Sequence, residues 1–141
     1  MKILLISTGT LNDKGPKKIA SFLEKHEHRA EIIFYRKTEI KKILIKCKTA
    51  GLIIVSANVS THKQASVLIK SLKKLKKPVA YAGIYPSLYP KECIKETDLV
   101  ILAKPAETIL ELANRLENFQ RVDNVPNLSF KFSKEEVIKN A

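Results

Sequence analysis

The sequence predicts an α/β protein, a three-layer sandwich in which helices cover both faces of a five-stranded parallel sheet. Five short apolar runs, rich in β-branched residues, alternate along the chain with longer amphipathic segments. The apolar runs lack the polar–apolar alternation of half-exposed strands, which is typical of strands buried on both faces. Each amphipathic segment is long enough to cross over between parallel strands. For a doubly wound sheet of this kind we expect the strand order 2-1-3-4-5.

The first half of the chain supplies two strands and two helices. Residues 2–6 (KILLI) predict a central strand, and residues 30–35, which are flanked by charges, predict a strand at the sheet edge. The first helix begins with Pro16, which suits the first helical position. The second helix is predicted over residues 38–48, with Thr38 as its N-cap.

A complete strand–helix–strand unit occupies residues 51–86, with its strands at residues 52–55 and 79–82. Ser60 or Thr61 is placed to cap the helix between these strands. Apolar residues at helical spacing predict the face that this helix turns toward the sheet. They are Ala65, Leu68, Ile69, Leu72 and Leu75.

The chain after Gly83 is predicted to be irregular at first, because Pro86 and Pro90 bracket it, and then to form a short helix over residues 90–95. Residues 98–102 predict the fifth strand. The last helix should begin at Lys104 and Pro105, and its apolar stripe, which faces the sheet, should end at Phe119.

We expect the α/β domain to cover residues 1–120 and residues 121–141 to form an extended tail or linker. The tail shows no helical periodicity, and residues 134–141 are polar enough to fray. Its apolar residues are spaced for a small extended ribbon: Val125, Leu128, Phe130 and Phe132.

Length and composition restrict the class of protein. At 141 residues the chain is long enough for one domain with one good core. No apolar run reaches the length of a membrane span, and the first apolar run is too short for a secretory signal. Cys47 and Cys93 lack metal-ligand spacing, so we expect no metal site and no iron–sulfur cluster in this chain. These features favour a cytoplasmic location.

The formal net charge of +12 raises the question of nucleic-acid binding. Most of the excess is lysine on the outward faces of predicted helices, without the interleaved aromatic residues of a stacking platform. We therefore predict no specific nucleic-acid partner. Any DNA or RNA binding should be weak, sequence-independent and lost as salt increases, because it would depend on phosphate contacts alone. A filter-binding titration that finds sequence-specific binding at about 0.5 M salt would contradict this prediction.

The polar loops after strands one, three and four form the predicted ligand site. In an open parallel sheet, ligands bind outside the carboxyl ends of the strands, where the strand order reverses. That point lies between strands one and three, so loops 8–15 and 56–60 should face each other across a crevice. The candidate residues of these loops and of the turn after strand four are Thr8, Gly9, Asp13, Gly15, Ser56, Asn58, Ser60, Ala82, Gly83 and Tyr85.

Short motifs follow the predicted strands in a characteristic order. Strand three leads into Ser56 and Ser60, and strand four leads into residues 82–87 (AGIYPS). Residues 98–101 read DLVI, and residues 125–130 read VPNLSF. In order and spacing these motifs resemble the cobalamin (B12)-binding domain at the N-terminus of many radical S-adenosylmethionine (SAM) enzymes, over nearly the whole chain. The resemblance implies a Rossmann-like module that binds cobalamin, with the chemistry supplied by the cofactor.

Two departures from the family pattern concern the site. Classical cobalamin domains carry Asp-x-His-x-x-Gly after strand one, in which the His is the lower axial ligand of cobalt. Asp13 and Gly15 are present here without such a His, so the resemblance implies base-off, His-off cobalamin. The family's Gly-Glu-Gly-Glu segment corresponds to residues 104–107 (KPAE), which adds Lys104 and Glu107 to the candidate site. Because a cation and a proline replace small residues there, we expect an altered or vestigial site.

The resemblance also implies a catalytic partner. In the family, a radical SAM domain with a Cys-x-x-x-Cys-x-x-Cys motif follows this kind of domain. The expected partner is therefore a radical SAM domain, either in cis beyond residue 141 or in trans. No Cys–His or Ser–His–Asp arrangement converges on the predicted strand ends, so we expect a module that is not catalytic alone.

A flavodoxin-like FMN-binding module is the alternative. Residues 7–10 (STGT) are similar to the flavodoxin phosphate loop, in which hydroxyls and amides at a helix start hold the phosphate. In flavodoxins the helix begins at once, whereas residues 13–16 intervene here. A phospho-receiver domain is rejected, because Ser56 occupies the position at which an Asp should end strand three.

Overall fold

A single sheet of seven strands runs through the computed structural model, which describes residues 1–10, 13–131, 133 and 136–141. In chain order the strands are β1 (Lys2–Ser7), β2 (Arg29–Phe34), β3 (Leu52–Ser56), β4 (Val79–Ala82), β5 (Leu99–Ile101), β6 (Leu128–Lys131) and β7 (Val137–Lys139). Leu11 and Asn12 of the predicted site loop, together with Phe132 and Lys134 of the predicted tail, lie outside the described residues.

The first five strands are parallel and have the predicted order, since the sheet runs β2-β1-β3-β4-β5-β6-β7. The prediction of a five-stranded, wholly parallel sheet is wrong, because β6 and β7 continue it as antiparallel strands. Val125 and Leu128 are fully buried, and Phe130 pairs with Leu99 of β5. Burial of these apolar side chains against β5 and α6 explains why the segment joins the sheet.

Helices cover both faces of the sheet, as the three-layer prediction requires. They are α1 (Gly15–Lys25), α2 (Ile40–Cys47), α3 (His62–Leu72), α4 (Ile84–Leu88), α5 (Pro90–Cys93) and α6 (Pro105–Glu117). Helices α1 and α6 pack on one face, over a core that includes Leu5 and Leu112. Helices α2 and α3 pack on the other face, over a core that includes Leu4 and Leu68. Successive side chains of β1 enter opposite cores, which explains why this strand is apolar throughout.

Burial of the central strands is confirmed. Within residues 3–6, 53–55 and 79–81, no residue exposes more than 6% of its surface. Cys47 and Cys93 are also fully buried, and neither is part of a disulfide. Burial raises the pKa of the Cys47 thiol to about 11 and that of Cys93 to about 12, so both thiols stay protonated at neutral pH.

Three local predictions are wrong. Thr38 does not cap α2, because it lies inside a 3-10 turn formed by Lys37–Glu39. The segment between the two prolines is not irregular, since α4 includes Pro86 in its first turn, where a missing N–H removes no helical hydrogen bond. Phe119 lies beyond the end of α6, with a φ of 54° and 97% of its surface exposed, so it is not part of the apolar stripe.

The Tyr81 hydroxyl is an unsatisfied polar group in the core. Tyr81 is fully buried, and in the described part of the chain its hydroxyl has no hydrogen-bond partner. Burial raises the pKa of this phenol well above its usual range, with smaller contributions from Cys93, Glu96 and Tyr85.

Removal of this hydroxyl should stabilise the protein. A buried hydroxyl without a partner costs roughly 1–3 kcal/mol, so Tyr81→Phe should raise the free energy of unfolding by about 1 kcal/mol. Urea unfolding followed by circular dichroism measures this change. Tyr85→Phe is the control, because Tyr85 is only partly buried. A loss of stability in Tyr81→Phe would mean that a bound water satisfies the hydroxyl.

Candidate functional site

The carboxyl ends of β1, β3 and β4 border a cavity of about 390 Å³, which the N-terminal ends of α1 and α6 close from the side. This edge is the switch point of the sheet, because the chain leaves β1 and β3 toward opposite faces. The lining is mostly apolar. It comprises Leu5, Ile6, Ser7, Gly9, Asp13, Gly15, Pro16, Ile19, Ile54, Ser56, Ala57, Asn58, Ala82, Gly83, Ile84 and Pro105.

The described residues of the loop between β1 and α1 are held by their own polar groups. The Gly9 amide donates to Ser7 Oγ (3.1 Å), and the Asp13 amide donates to the Thr10 carbonyl (3.0 Å). Asp13 Oδ1 accepts a hydrogen bond from the Gly15 amide (3.1 Å), which forms an Asx turn into α1. The Asp13 carboxylate therefore orders the loop at the mouth of the cavity.

A second network holds the loop after β3 against the end of β1. The Thr8 amide donates to the Ser56 carbonyl (3.1 Å), and the Thr8 hydroxyl lies 2.9 Å from that carbonyl and 2.8 Å from Thr61 Oγ1. Asn58 Oδ1 accepts hydrogen bonds from Ser60 Oγ (2.7 Å) and from the Thr61 amide (3.0 Å). Thr61 occupies the predicted N-cap position of α3, but its hydroxyl bonds within this loop and does not cap the helix.

Gly83 lets the turn after β4 lie against the loop after β3. Its φ is 108°, and a β-carbon there would lie 2.5 Å from the Ala57 carbonyl oxygen. Two backbone hydrogen bonds cross this contact: the Ala57 amide donates to Ala82 O (3.1 Å), and the Tyr85 amide donates to Ala57 O (3.2 Å). This close contact between the two loops is therefore enough to explain why the position requires glycine.

Two polar side chains of the lining each hold a donor atom that takes part in no hydrogen bond to a described residue. Ser56 Oγ makes no hydrogen bond to a described residue, and neither does the side-chain amide nitrogen of Asn58. In a mostly apolar cavity, a few such groups fix the orientation of a ligand. Ser56 and Asn58 are therefore the groups best placed to bind a ligand's polar atoms.

The structure brings seven of the predicted site residues together around the cavity and leaves five outside it. The seven are Gly9, Asp13, Gly15, Ser56, Asn58, Ala82 and Gly83. The five outside the lining are Thr8, Ser60, Tyr85, Lys104 and Glu107. The hydroxyls of Thr8 and Ser60 hold loops together, and Glu107 is exposed in the first turn of α6.

The start of α6 differs from the predicted site, because its lysine lies outside the cavity. Lys104 has φ 46° and ψ 61°, the left-handed conformation that glycine adopts most easily. Its side chain is exposed and does not line the cavity, whereas Pro105, the first residue of α6, does. Any crowding at this point therefore comes from the proline ring and not from the lysine.

The apolar wall supplied by α1 was missed by the sequence analysis. Pro16 and Ile19 line the cavity, although neither was predicted as a site residue. A signal for this wall exists in the sequence. Pro16 and Pro105 both stand at helix starts, and both helices begin at the carboxyl edge of the sheet.

Tyr85 belongs to an aromatic cluster on the α3 side of the sheet. Its ring stacks on His62, with 4.2 Å between centroids and 8° between planes, and it also contacts Tyr89. Burial and the neighbouring Cys93 and Glu96 raise the pKa of Tyr85. His62 is thus engaged by an aromatic neighbour and does not line the cavity.

Other classes of site have no counterpart in the part of the chain that the structure describes. No three His, Cys, Asp or Glu side chains within it are grouped to hold a metal ion. Among the same residues, the helices are all too short or too polar to cross a bilayer.

The fold and the cavity define a Rossmann-like α/β domain with a ligand-sized crevice at the switch point of its sheet. No family model matches the sequence, and no curated protein matches it. Solved structures of cobalamin-dependent radical SAM enzymes, however, are similar to it over 99% of the chain.

Two of these enzymes illustrate the likeness. The methyltransferase TsrM from Kitasatospora setae, with cobalamin and a 4Fe–4S cluster bound, gives a TM-score of 0.81 at 16% identity over 29% of its length. The enzyme OxsB, with aqua-cobalamin and S-adenosylmethionine bound, gives 0.75 at 18% identity over 22% of its length. At these identities the likeness shows a shared fold, and the chain spans less than a third of either enzyme.

Proposed function

We propose that this chain is a cobalamin-binding-like module that serves a radical SAM enzyme. The observation that carries the proposal is the cavity between the ends of β1, β3 and β4 and the starts of α1 and α6. A doubly wound sheet binds its ligands at this edge. The fold shared with TsrM and OxsB, whose structures contain cobalamin, supports the choice of ligand.

The size and lining of the cavity suit the nucleotide arm of cobalamin better than its corrin ring. A volume of about 390 Å³ lies near the low end of small-molecule pockets, about 300–1,000 Å³. Such a space takes one planar heteroaromatic group, and base-off cobalamin has one at the end of its nucleotide arm. Ile19 and Ile54 would pack on that group, and Ser56 and Asn58 would bind its polar atoms.

A His-off form agrees with this lining, in which no described residue is a histidine. When bound, cobalamin would supply the cobalt chemistry of methyl transfer or carbon-skeleton rearrangement. The residues of this chain would bind and orient it, and the module would not be catalytic alone. Pro105 at the rim is the feature that makes the site an altered one.

The catalytic partner in this proposal is a radical SAM domain, in cis or in trans. The chain corresponds in length to 29% of TsrM and 22% of OxsB, so most of each enzyme lies outside the shared fold. We place the module in the cytoplasm, where free thiols such as Cys47 and Cys93 stay reduced.

FMN is the second candidate ligand. The structure of residues 7–10 (STGT) supports FMN less well than the cavity supports cobalamin. Ser7 Oγ accepts a hydrogen bond from the Gly9 amide, and the Thr8 hydroxyl is held by Ser56 and Thr61. Helix α1 begins only at Gly15, so no helix start follows the loop directly. The Thr8 hydroxyl of the loop is therefore already used, and the loop lacks the adjacent helix start that would help to hold the phosphate of FMN.

Titration with hydroxocobalamin tests the proposal. We expect saturable binding by calorimetry and the absorption spectrum of base-off cobalamin without imidazole ligation. Ser56→Ala should weaken binding by about tenfold, because it removes one hydrogen bond to the ligand. Ser71→Ala is the matched control, since Ser71 lies on α3 outside the cavity.

FMN, titrated in parallel, separates the two candidates. Tighter binding of FMN than of hydroxocobalamin would favour the alternative. If neither ligand changes the spectrum or releases heat, even with a downstream radical SAM domain present, the site is vestigial and the proposal fails.

A further inference from the structure

A second pocket, of about 440 Å³, lies on the other side of the carboxyl end of β1. Ser7 and Gly9 line the cavity described above, whereas Thr8, between them, lines this second pocket. The end of β2 and the first turns of α3 complete its wall, with Tyr35, Arg36, Lys37, Lys63 and Gln64.

The charged side chains that line this pocket are all positive. Arg36, Lys37 and Lys63 line it without any carboxylate, and none of the three forms an ion pair with a described residue. Of the nearby acids, Glu31 pairs with Lys2 and Lys46, and it does not reach the pocket. Glu39, in the 3-10 turn, does not line it either. Three positive charges around one concave surface repel each other, and a bound anion would relieve that repulsion.

We propose that this pocket binds the di- or triphosphate group of a phosphorylated small molecule. Three cations match the charge of such a group, whereas a single carboxylate would leave most of the repulsion in place. The guanidinium of Arg36 offers paired donors to phosphate oxygens, and Lys37 and Lys63 act as mobile point charges. Tyr35 and Gln64 add neutral donors at the wall. The inference goes beyond the cobalamin proposal and does not depend on it, because the two pockets lie on opposite sides of β1.

Calorimetric titration of the full chain with tripolyphosphate at low salt tests the inference. The triple variant Arg36→Gln, Lys37→Gln, Lys63→Gln should bind at least about tenfold more weakly than the unchanged protein. The matched control is Lys70→Gln, Lys74→Gln, Lys91→Gln, which removes the same number of charges from exposed positions that line neither pocket. The control should lose less than about twofold, because its charges act only through screened long-range attraction.

Three results would overturn the inference. The first is an absence of tripolyphosphate binding by the unchanged protein, and the second is an equal loss in both triple variants, which would indicate diffuse attraction. The third result concerns a single-stranded oligonucleotide. If the protein binds it more tightly than tripolyphosphate, and both triple variants weaken that binding equally, the surface is a general polyanion surface. Circular dichroism confirms that each variant is folded. Hydroxocobalamin binding, measured on the same variants, should be unchanged, so that failure of one proposal is distinguishable from failure of the other.

Discussion

Gly83→Val should destabilise the folded protein by about 3–5 kcal/mol. Two costs add. A β-branched residue at a φ of 108° is strained by roughly 1–3 kcal/mol. In addition, its β-carbon would lie 2.5 Å from the Ala57 carbonyl oxygen, so the loops after β3 and β4 must separate. Urea unfolding should show a lower midpoint with an unchanged slope.

Gly15→Ala is the control for this prediction. A β-carbon at Gly15 meets only the Asp13 side chain, at 3.3 Å, and no positive φ is involved. Gly15 is also the first residue of α1, so alanine should change stability by less than about 1 kcal/mol. An unchanged midpoint in Gly83→Val would show that the loops separate at little cost. Because the substitution disturbs the fold, it cannot serve as a test of ligand binding.

The parallel half of the fold was predictable because its strands are buried on both faces. Residues 3–6, 53–55 and 79–81 are apolar without interruption, and such runs, alternating with amphipathic helices, are typical of a parallel sheet covered on both faces. The strands β6 and β7 were not predictable as members of the sheet. Each is only three or four residues long, and β6 joins the sheet by pairing with β5, which precedes α6 in the chain, while β7 pairs with the neighbouring β6. Local pattern carries no information about such a partner.

The sequence predicted which loops border the site. It did not predict which side chains of those loops are free to bind a ligand. The rule for doubly wound sheets places the loops after β1 and β3 face to face, and they do border one cavity. Hydrogen bonds between the loops decide which hydroxyls remain free to bind a ligand. The Thr8 hydroxyl is engaged in such bonds, whereas the Ser56 hydroxyl is not. Tyr85 was placed at the site by its proximity to Gly83 in sequence. The turn and α4 carry its ring to the α3 side, where it stacks on His62.

Ile19→Trp should weaken hydroxocobalamin binding by more than about 100-fold and leave the fold intact. Ile19 lines the cavity from α1 and is only half-buried, so a larger side chain enters the cavity without displacing a strand. The indole would occupy the space in which the planar group of the ligand is proposed to pack. A 100-fold loss corresponds to about 3 kcal/mol, the cost expected when a bound ring loses its contacts.

Ser21→Trp makes this test specific, because Ser21 is exposed on the same helix and does not line the cavity. The chain contains no tryptophan, so each variant carries a single indole whose fluorescence reports on folding and on nearby ligand. Binding to Ser21→Trp should match that of the unchanged protein, and both variants should unfold at similar urea concentrations. If Ile19→Trp also binds as tightly as the unchanged protein, the ligand lies outside this cavity. The assignment of the site at the ends of β1, β3 and β4 would then be wrong, whatever the ligand.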